Sequence, residues 1–145
     1  MFKHILFPTD GEAPSVAAIG PCIAFAKDSG ARLSVLHVRM PFHFLSAHPA
    51  MVSDTPKEYA QHSQQRASAC LEQVAAACRA QGVACDTLSV EHELPNQAII
   101  DAVREHGCDL VAMASHGRKG MEALFLGSET QKVLSRSPVP VLVLR

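Results

Sequence analysis

Residues 109–144 have the sequence DLVAMASHGRKGMEALFLGSETQKVLSRSPVPVLVL. Residues 109–114 are a short apolar run, which predicts a strand buried on both faces. Residues 128–136 have the spacing of a short helix, and the run from Val139 to Leu144 predicts a last strand. A strand, a helix and a strand in this order predict a parallel pair of strands joined by a right-handed crossover.

The rest of the chain alternates in the same way. Strands are predicted over residues 3–9, 32–39 and 85–91, and helices over residues 14–27, 57–81 and 96–106. This alternation predicts a doubly wound α/β fold, with helices on both faces of a five-stranded parallel sheet, and we expect the strand order 3-2-1-4-5. A chain of 145 residues is expected to form one domain, residues 1–145.

Composition excludes several classes of protein. Hydrophobic residues make up 48% of the chain, charged residues 19%, and the net charge is −1, which argues against disorder and against bulk nucleic-acid binding. The N-terminal apolar run is short and ends at Pro8 and Asp10, so it predicts neither a signal peptide nor a membrane span. We therefore expect a cytoplasmic protein with no nucleic-acid and no membrane partner.

The cysteines and histidines do not form a recognisable metal or disulfide pattern. The five cysteines include no C-x-x-C pair, so reduced and mostly buried thiols are expected. Cys70 and Cys78 lie on one predicted helix and could share a face, which leaves redox sensing open. His43 and His48 are close in the loose stretch 41–56, but no Cys or carboxylate completes a zinc set there. No metal site is predicted.

Two strand ends carry residues suited to ligand binding. In open parallel sheets, ligands lie beyond the carboxyl ends of the strands, where the strand order reverses. The first strand ends with Pro8, Thr9 and Asp10, which supply a hydroxyl and a carboxylate, although Asp10 could instead cap the turn that follows it. The fourth strand leads into residues 115–127, a connection of thirteen residues that is long for its type. Such loops are often functional.

The connection after the fourth strand has residue types that suit a phosphate. Gly117 and Gly127 allow backbone N–H groups to approach an anion, Arg118 adds positive charge, and Ser128 begins a helix whose N-terminus favours anions. Residues 128–131 also match a capping box, in which Ser128 caps its own helix, and Arg118 could belong to a solvated loop. The chain has neither a P-loop nor a G-x-G-x-x-G motif, so no P-loop lysine reaches the outer phosphates.

The spacing of this loop resembles the nucleotide-binding motif of the universal stress protein family, G-x-x-G-x9-G-[ST]. Ala114 takes the place of the first glycine, Gly117 is the second, and Gly127 and Ser128 close the motif. The opening KHILFPTDG, the LHV at residues 36–38 and the closing SPVPVLVLR also resemble strands of that family. The resemblance covers nearly the whole chain.

The resemblance implies that the chain binds ATP or another adenine nucleotide, with or without Mg²⁺. The first strand end would line the adenosine, Val38 and Met113 would flank the base and nucleoside, and the loop would hold the phosphates. The implied site residues are Pro8, Thr9, Asp10, Val38, Met113, Ala114, Gly117, Arg118, Gly127, Ser128 and Thr130. Ala114 adds a methyl group where the family has glycine, and we expect binding to survive in a weaker form. Glu93 or Leu94 replaces a second glycine of the family, in a turn before the third helix.

The implied function is that of a regulatory or stress-response binding module. The resemblance also implies a homodimer in which the last strands, Val139 to Leu144, pair antiparallel; Pro138 and Pro140 each remove a donor and limit this pairing. Two alternatives stay open: a slow Mg²⁺-dependent ATPase or phosphotransferase, and a nucleotide-free dimeric scaffold in which Ala114 has closed the pocket. No catalytic residue is predicted, because no side chain is an obvious base for an attacking water.

Overall fold

The computed structural model describes residues 1–42, 55–115 and 126–145. Strands and helices alternate along these ranges as the sequence predicts. They are β1 (His4–Pro8), α1 (Ala13–Ser29), β2 (Arg32–Arg39), α2 (Pro56–Gln81), β3 (Cys85–Glu91), α3 (Pro95–His106), β4 (Leu110–Ala114), α4 (Ser128–Arg136) and β5 (Val141–Leu144). The last strand begins two residues later than predicted. Val139 instead belongs to a turn in which its N–H donates to the Ser137 hydroxyl at 3.2 Å.

The five strands form one parallel sheet in the order β3-β2-β1-β4-β5. β1 lies at the centre, with Phe7 opposite Val35 of β2 and Leu6 opposite Val111 of β4. Val111 is in turn opposite Val141 of β5. The predicted doubly wound fold and its strand order are therefore confirmed.

Helices cover both faces of the sheet, which explains why β1 after His4 and all of β4 are apolar. Ile5 and Phe7 of β1 are buried in the cluster that includes residues of α1 and α2. Leu6, between them in the sequence, is buried in a second cluster with residues of α3 and with Val133 of α4. Alternate side chains of a strand point to opposite faces, so a strand covered on both sides needs no polar residues.

The long helix α2 is defined by local signals at both ends. Thr55 accepts a hydrogen bond from the backbone N–H of Glu58 at 3.2 Å, and the Glu58 carboxylate accepts one from the N–H of Thr55 at 2.8 Å. This reciprocal pair is a capping box. The helix ends at Gly82, whose φ of 71° is in the left-handed region that glycine adopts without steric cost. None of the described helices combines the length and the apolar character needed to cross a membrane.

All five cysteines are free thiols, as the sequence predicts. Burial raises the pKa of Cys22 and of Cys85 to about 12 and that of Cys108 to about 11. Cys70 and Cys78 do not pair: eight residues of helix separate them by about 12 Å. Cys78 lies instead within hydrogen-bonding reach of Cys85, and Cys70 lies beside Thr9.

We expect these thiols to react slowly in the folded chain. Relative to an ordinary pKa of 9.0, a pKa of about 12 lowers the thiolate fraction of Cys85 at pH 8 by about a thousandfold. Labelling with a disulfide reagent, followed by peptide mass spectrometry, should find Cys22, Cys85 and Cys108 largely unmodified at pH 8 and fully modified in denaturant. The rate at Cys85 should rise about tenfold per pH unit up to pH 11. Labelling of folded Cys85 at the rate of the denatured chain would contradict this.

Candidate functional site

The carboxyl ends of β1 and β4 lie side by side in the middle of the sheet. The two strands pair in parallel, with Ile5 opposite Leu110. β2 and β3 extend the sheet on one side and β5 extends it on the other, so the strand order reverses between β1 and β4. Because open parallel sheets bind ligands at such an edge, the segments that follow β1 and β4 form the candidate site.

The segment after β1 is shaped by its own short side chains. Thr9 is buried, and its hydroxyl accepts a hydrogen bond from the N–H of Gly11 at 3.2 Å and lies 3.9 Å from the sulfur of Cys70. Asp10 is exposed, and its Oδ1 accepts from the N–H of Glu12 at 2.9 Å. Asp10 therefore does cap the turn that follows it. A carboxylate accepts several hydrogen bonds, so this cap leaves Asp10 able to bind a ribose hydroxyl.

The three predicted apolar contacts differ in how much surface they offer. Pro8 is the half-buried last residue of β1, and Val38 lies near the end of β2 against the core shared with α3. Met113 is deeper in that same core and is only 6% exposed. Pro8 and Val38 can therefore contact a ligand, whereas Met113 mainly supports the strand beneath it.

Backbone hydrogen bonds join the two ends of the loop after β4. The N–H of Ser115 donates to the carbonyl of Leu144 at 2.8 Å, which continues the pairing of β4 with β5. The carbonyl of Ser115 then accepts from the N–H of Gly127 at 2.7 Å. This second bond fixes the start of α4 directly beside the end of β4.

The structure corrects the predicted capping box at Ser128. The N-cap of α4 is Gly127, with φ −57° and ψ 149°, and Ser128 is the first helical residue. The N–H of Gly127 is already bonded to Ser115, and the amide of Gln131 donates to the carbonyl of Leu126 at 2.8 Å rather than returning to the cap. The exposed hydroxyl of Ser128 is therefore not consumed in capping.

The first turn of α4 presents backbone donors at this edge. The first intrahelical bond of α4 runs from the N–H of Gln131 to the carbonyl of Gly127 at 3.0 Å. The N–H groups of Ser128, Glu129 and Thr130 accordingly have no acceptor within the helix. Such a turn, together with the helix dipole, favours an anion.

Thr130 has a structural role that its sequence position did not reveal. Its side chain is 3% exposed, and its hydroxyl donates to the carbonyl of Ala114 at 3.1 Å. This bond ties α4 to the end of β4. The resemblance implies Thr130 as a site residue; because its hydroxyl already bonds to Ala114, its backbone N–H is the better candidate for a phosphate contact.

Several predicted residues lie outside the described ranges. Gly117 and Arg118 belong to residues 116–125, and His43 and His48 belong to residues 43–54. Within the part of the chain that the structure does describe, no group of three or more His, Cys, Asp or Glu side chains is placed to hold a metal ion.

Comparison with known proteins assigns the chain to a family. The family model described as "Universal stress protein family" matches residues 1–145. The chain belongs to the universal stress protein family. A universal stress protein of Thermus aquaticus is 32% identical over 145 residues, a match that covers 100% of both chains.

Solved structures of universal stress proteins have the same fold. MJ0577 of Methanocaldococcus jannaschii is 26% identical and superimposes with a TM-score of 0.80, covering 99% of this chain and 96% of the other. A universal stress protein in complex with cAMP is 21% identical, with a TM-score of 0.70 over 99% of this chain and 97% of its own. One from Archaeoglobus fulgidus in complex with dAMP is 14% identical, with a TM-score of 0.71 over 99% and 98%.

Ala114 replaces the first glycine of the universal stress protein motif, and the structure shows where its methyl group lies. Ala114 is 7% exposed and belongs to the core cluster on the α1 and α2 face, together with Ala112 and Phe7. Its side chain therefore packs into the core. The period of two along β4 could have predicted this, since Leu110, Ala112 and Ala114 share one face.

Two residues at this edge were not predicted as part of the site. Cys70 was considered only as a partner for Cys78, yet it contacts Thr9 and would lie 3.4 Å from a Cβ atom built on Gly11. Glu129 was considered only as part of a capping box, yet its carboxylate binds Asn96 of α3. The helical period of α2 could have placed Cys70 near the buried face. No sequence signal connects Glu129 to Asn96.

Proposed function

We propose that this universal stress protein binds an adenine nucleotide, ATP or a close relative, at the carboxyl edge of β1 and β4. The observation that carries the proposal is the first turn of α4, which is fixed beside β4 by the bond between Gly127 and Ser115. Three backbone N–H groups and the exposed hydroxyl of Ser128 meet there. These groups suit a phosphate and need no metal of the protein's own.

The segment after β1 supplies the other half of the proposed site. Asp10 is exposed at this edge and retains acceptor capacity for a ribose, and Pro8 and Val38 offer apolar surface to a base. Gly117 and Arg118 of the loop are proposed to complete the phosphate contacts. The complexes of two universal stress proteins with cAMP and dAMP support an adenine compound as the ligand class.

We infer that the protein binds the nucleotide for regulation and does not hydrolyse it rapidly. Magnesium would accompany the phosphates of ATP, and it would supply charge neutralisation there. The sequence has no P-loop lysine and no evident base for water, so rapid hydrolysis lacks its usual groups. We propose that nucleotide occupancy changes what a homodimer presents to partners in the cytoplasm.

Calorimetric titration with ATP, ADP, AMP and NAD tests the proposal. A saturable heat with at least one adenine nucleotide is the expected result, and mass spectrometry of the ligand that copurifies would name the compound. If none of the four produces heat or thermal protection, nucleotide binding is wrong. The chain would then be better described as a dimeric scaffold.

Because the methyl group of Ala114 lies in the core, Ala114→Gly should not improve nucleotide binding. We expect an affinity within about twofold of the wild type, and a loss of stability of about 1 kcal/mol from the greater freedom of glycine in a strand. Titration and denaturant unfolding measure the two quantities. An affinity gain of tenfold or more would mean that the methyl group obstructs the ligand.

A further inference from the structure

A polar network joins the N-terminal ends of α3 and α4. One oxygen of the Glu129 carboxylate accepts from the backbone N–H of Asn96 at 2.9 Å and from its side-chain amide at 3.2 Å. Asn96 is 3% exposed, whereas the Glu129 side chain is 38% exposed, so the contact lies at the boundary between the core and solvent. The two helices come from different crossovers, and this carboxylate links them.

Two cations complete the network. The guanidinium of Arg136 donates to the side-chain oxygen of Asn96 at 2.6 Å and to that of Gln97 at 2.5 Å. Lys132 lies 3.1 Å from the second oxygen of Glu129. Each oxygen of the Glu129 carboxylate thus has a partner, and Arg136 holds the same asparagine from the C-terminal end of α4.

The orientation of Glu129 matters because of its place in the helix. A carboxylate in the first turn of a helix normally competes for the positive N-terminal end of that helix. Here the carboxylate is directed to α3, whose N-cap Leu94 provides no side-chain cap of its own. Glu129 therefore accepts a hydrogen bond from a backbone N–H in the first turn of α3, and the N–H groups at the start of α4 stay available to an external anion.

We propose that Glu129 is a positioning residue for phosphate, which holds the first turn of α4 against α3 so that its N–H groups converge on the ligand. This inference rests on the proposed nucleotide site, and it concerns how that site is organised. The bonds from Gly127 to Ser115 and from Thr130 to Ala114 fix the turn to β4. The bond from Asn96 to Glu129 fixes the same turn from the other side.

The test compares Glu129→Ala with the wild type using ligands that differ only in phosphate. Adenosine should bind both proteins equally, whereas AMP and ATP should bind the variant about tenfold more weakly, the equivalent of one charge-assisted hydrogen bond. The affinity of Glu129→Gln for AMP and ATP should lie between those of the wild type and Glu129→Ala, since its amide oxygen still accepts from Asn96. Glu105→Ala, which removes an exposed carboxylate at the far end of α3, is the control and should match the wild type.

Hydrogen exchange without ligand at Gly127 and Gln131, whose N–H groups are hydrogen-bonded, is the second measurement. The positioning role predicts faster exchange in Glu129→Ala than in Glu105→Ala. An equal loss of affinity for adenosine and AMP, or no loss for either, would overturn the role. If the wild type binds no adenine compound, the proposed function fails; unchanged exchange in Glu129→Ala would then overturn the positioning role separately.

Discussion

Gly127→Val should lose about a hundredfold in affinity for ATP while the fold is retained. The N–H of Gly127 stays bonded to Ser115, and the backbone at φ −57° and ψ 149° is one that any residue adopts. The new side chain would stand at the entrance to the first turn of α4. It would block contacts equivalent to two charge-assisted hydrogen bonds, and each tenfold of affinity corresponds to about 1.4 kcal/mol.

Gly127→Ala provides the graded comparison. A single methyl group should reduce affinity less than the three carbons of valine do. Both variants should stay folded with a loss of stability of about 1 kcal/mol, because alanine and valine are poorer N-caps than glycine. Calorimetric titration with ATP and sedimentation of the ligand-free protein give affinity and assembly together. Wild-type affinity in Gly127→Val would place the phosphates elsewhere and contradict the site.

Much of the fold could be predicted because local signals agree with one another. The bounds of β2, β3 and α4 match their predictions to the residue. Their apolar periods are clear, and glycine or proline follows or precedes most of them. The place of the candidate site at the β1 and β4 edge is then a prediction from topology alone.

The contacts within the site could not be predicted in the same way. Whether Gly127 or Ser128 caps α4 depends on backbone angles, and both residue types are acceptable at an N-cap. The hydroxyl of Thr130 could serve a ligand or the carbonyl of Ala114, and only the packing of α4 on β4 decides between them. Contacts between helices distant in sequence, such as that of Glu129, carry no periodic signal.

Among the described residues, β5 is the last strand on its side of the sheet, so one of its edges pairs with no other strand. Pro140 and Leu144 direct their carbonyls to β4, where they accept from Val111 and Ser115 at 3.0 and 2.8 Å. The donor that Pro140 lacks would therefore have pointed inward, since the N–H and C=O of a strand residue face the same side. Val141 and Val143 direct their backbone groups outward, so Pro140 does not limit pairing as the sequence suggested. All four residues of β5 are half-buried in the single chain.

If the proposed homodimer pairs these edges, Val143→Pro should convert it to a monomer. Proline removes the outward N–H, and a two-fold axis makes that loss occur twice. We expect dimerisation to weaken by about a hundredfold, equivalent to two lost hydrogen bonds and the clash of the proline ring. The monomer itself should tolerate the change, because proline is accepted on the solvent side of an edge strand.

Val143→Ala keeps the N–H and should remain dimeric, so sedimentation over a range of concentrations separates loss of backbone pairing from loss of side-chain contact. A dimer that survives in Val143→Pro would mean that the copies meet on another surface.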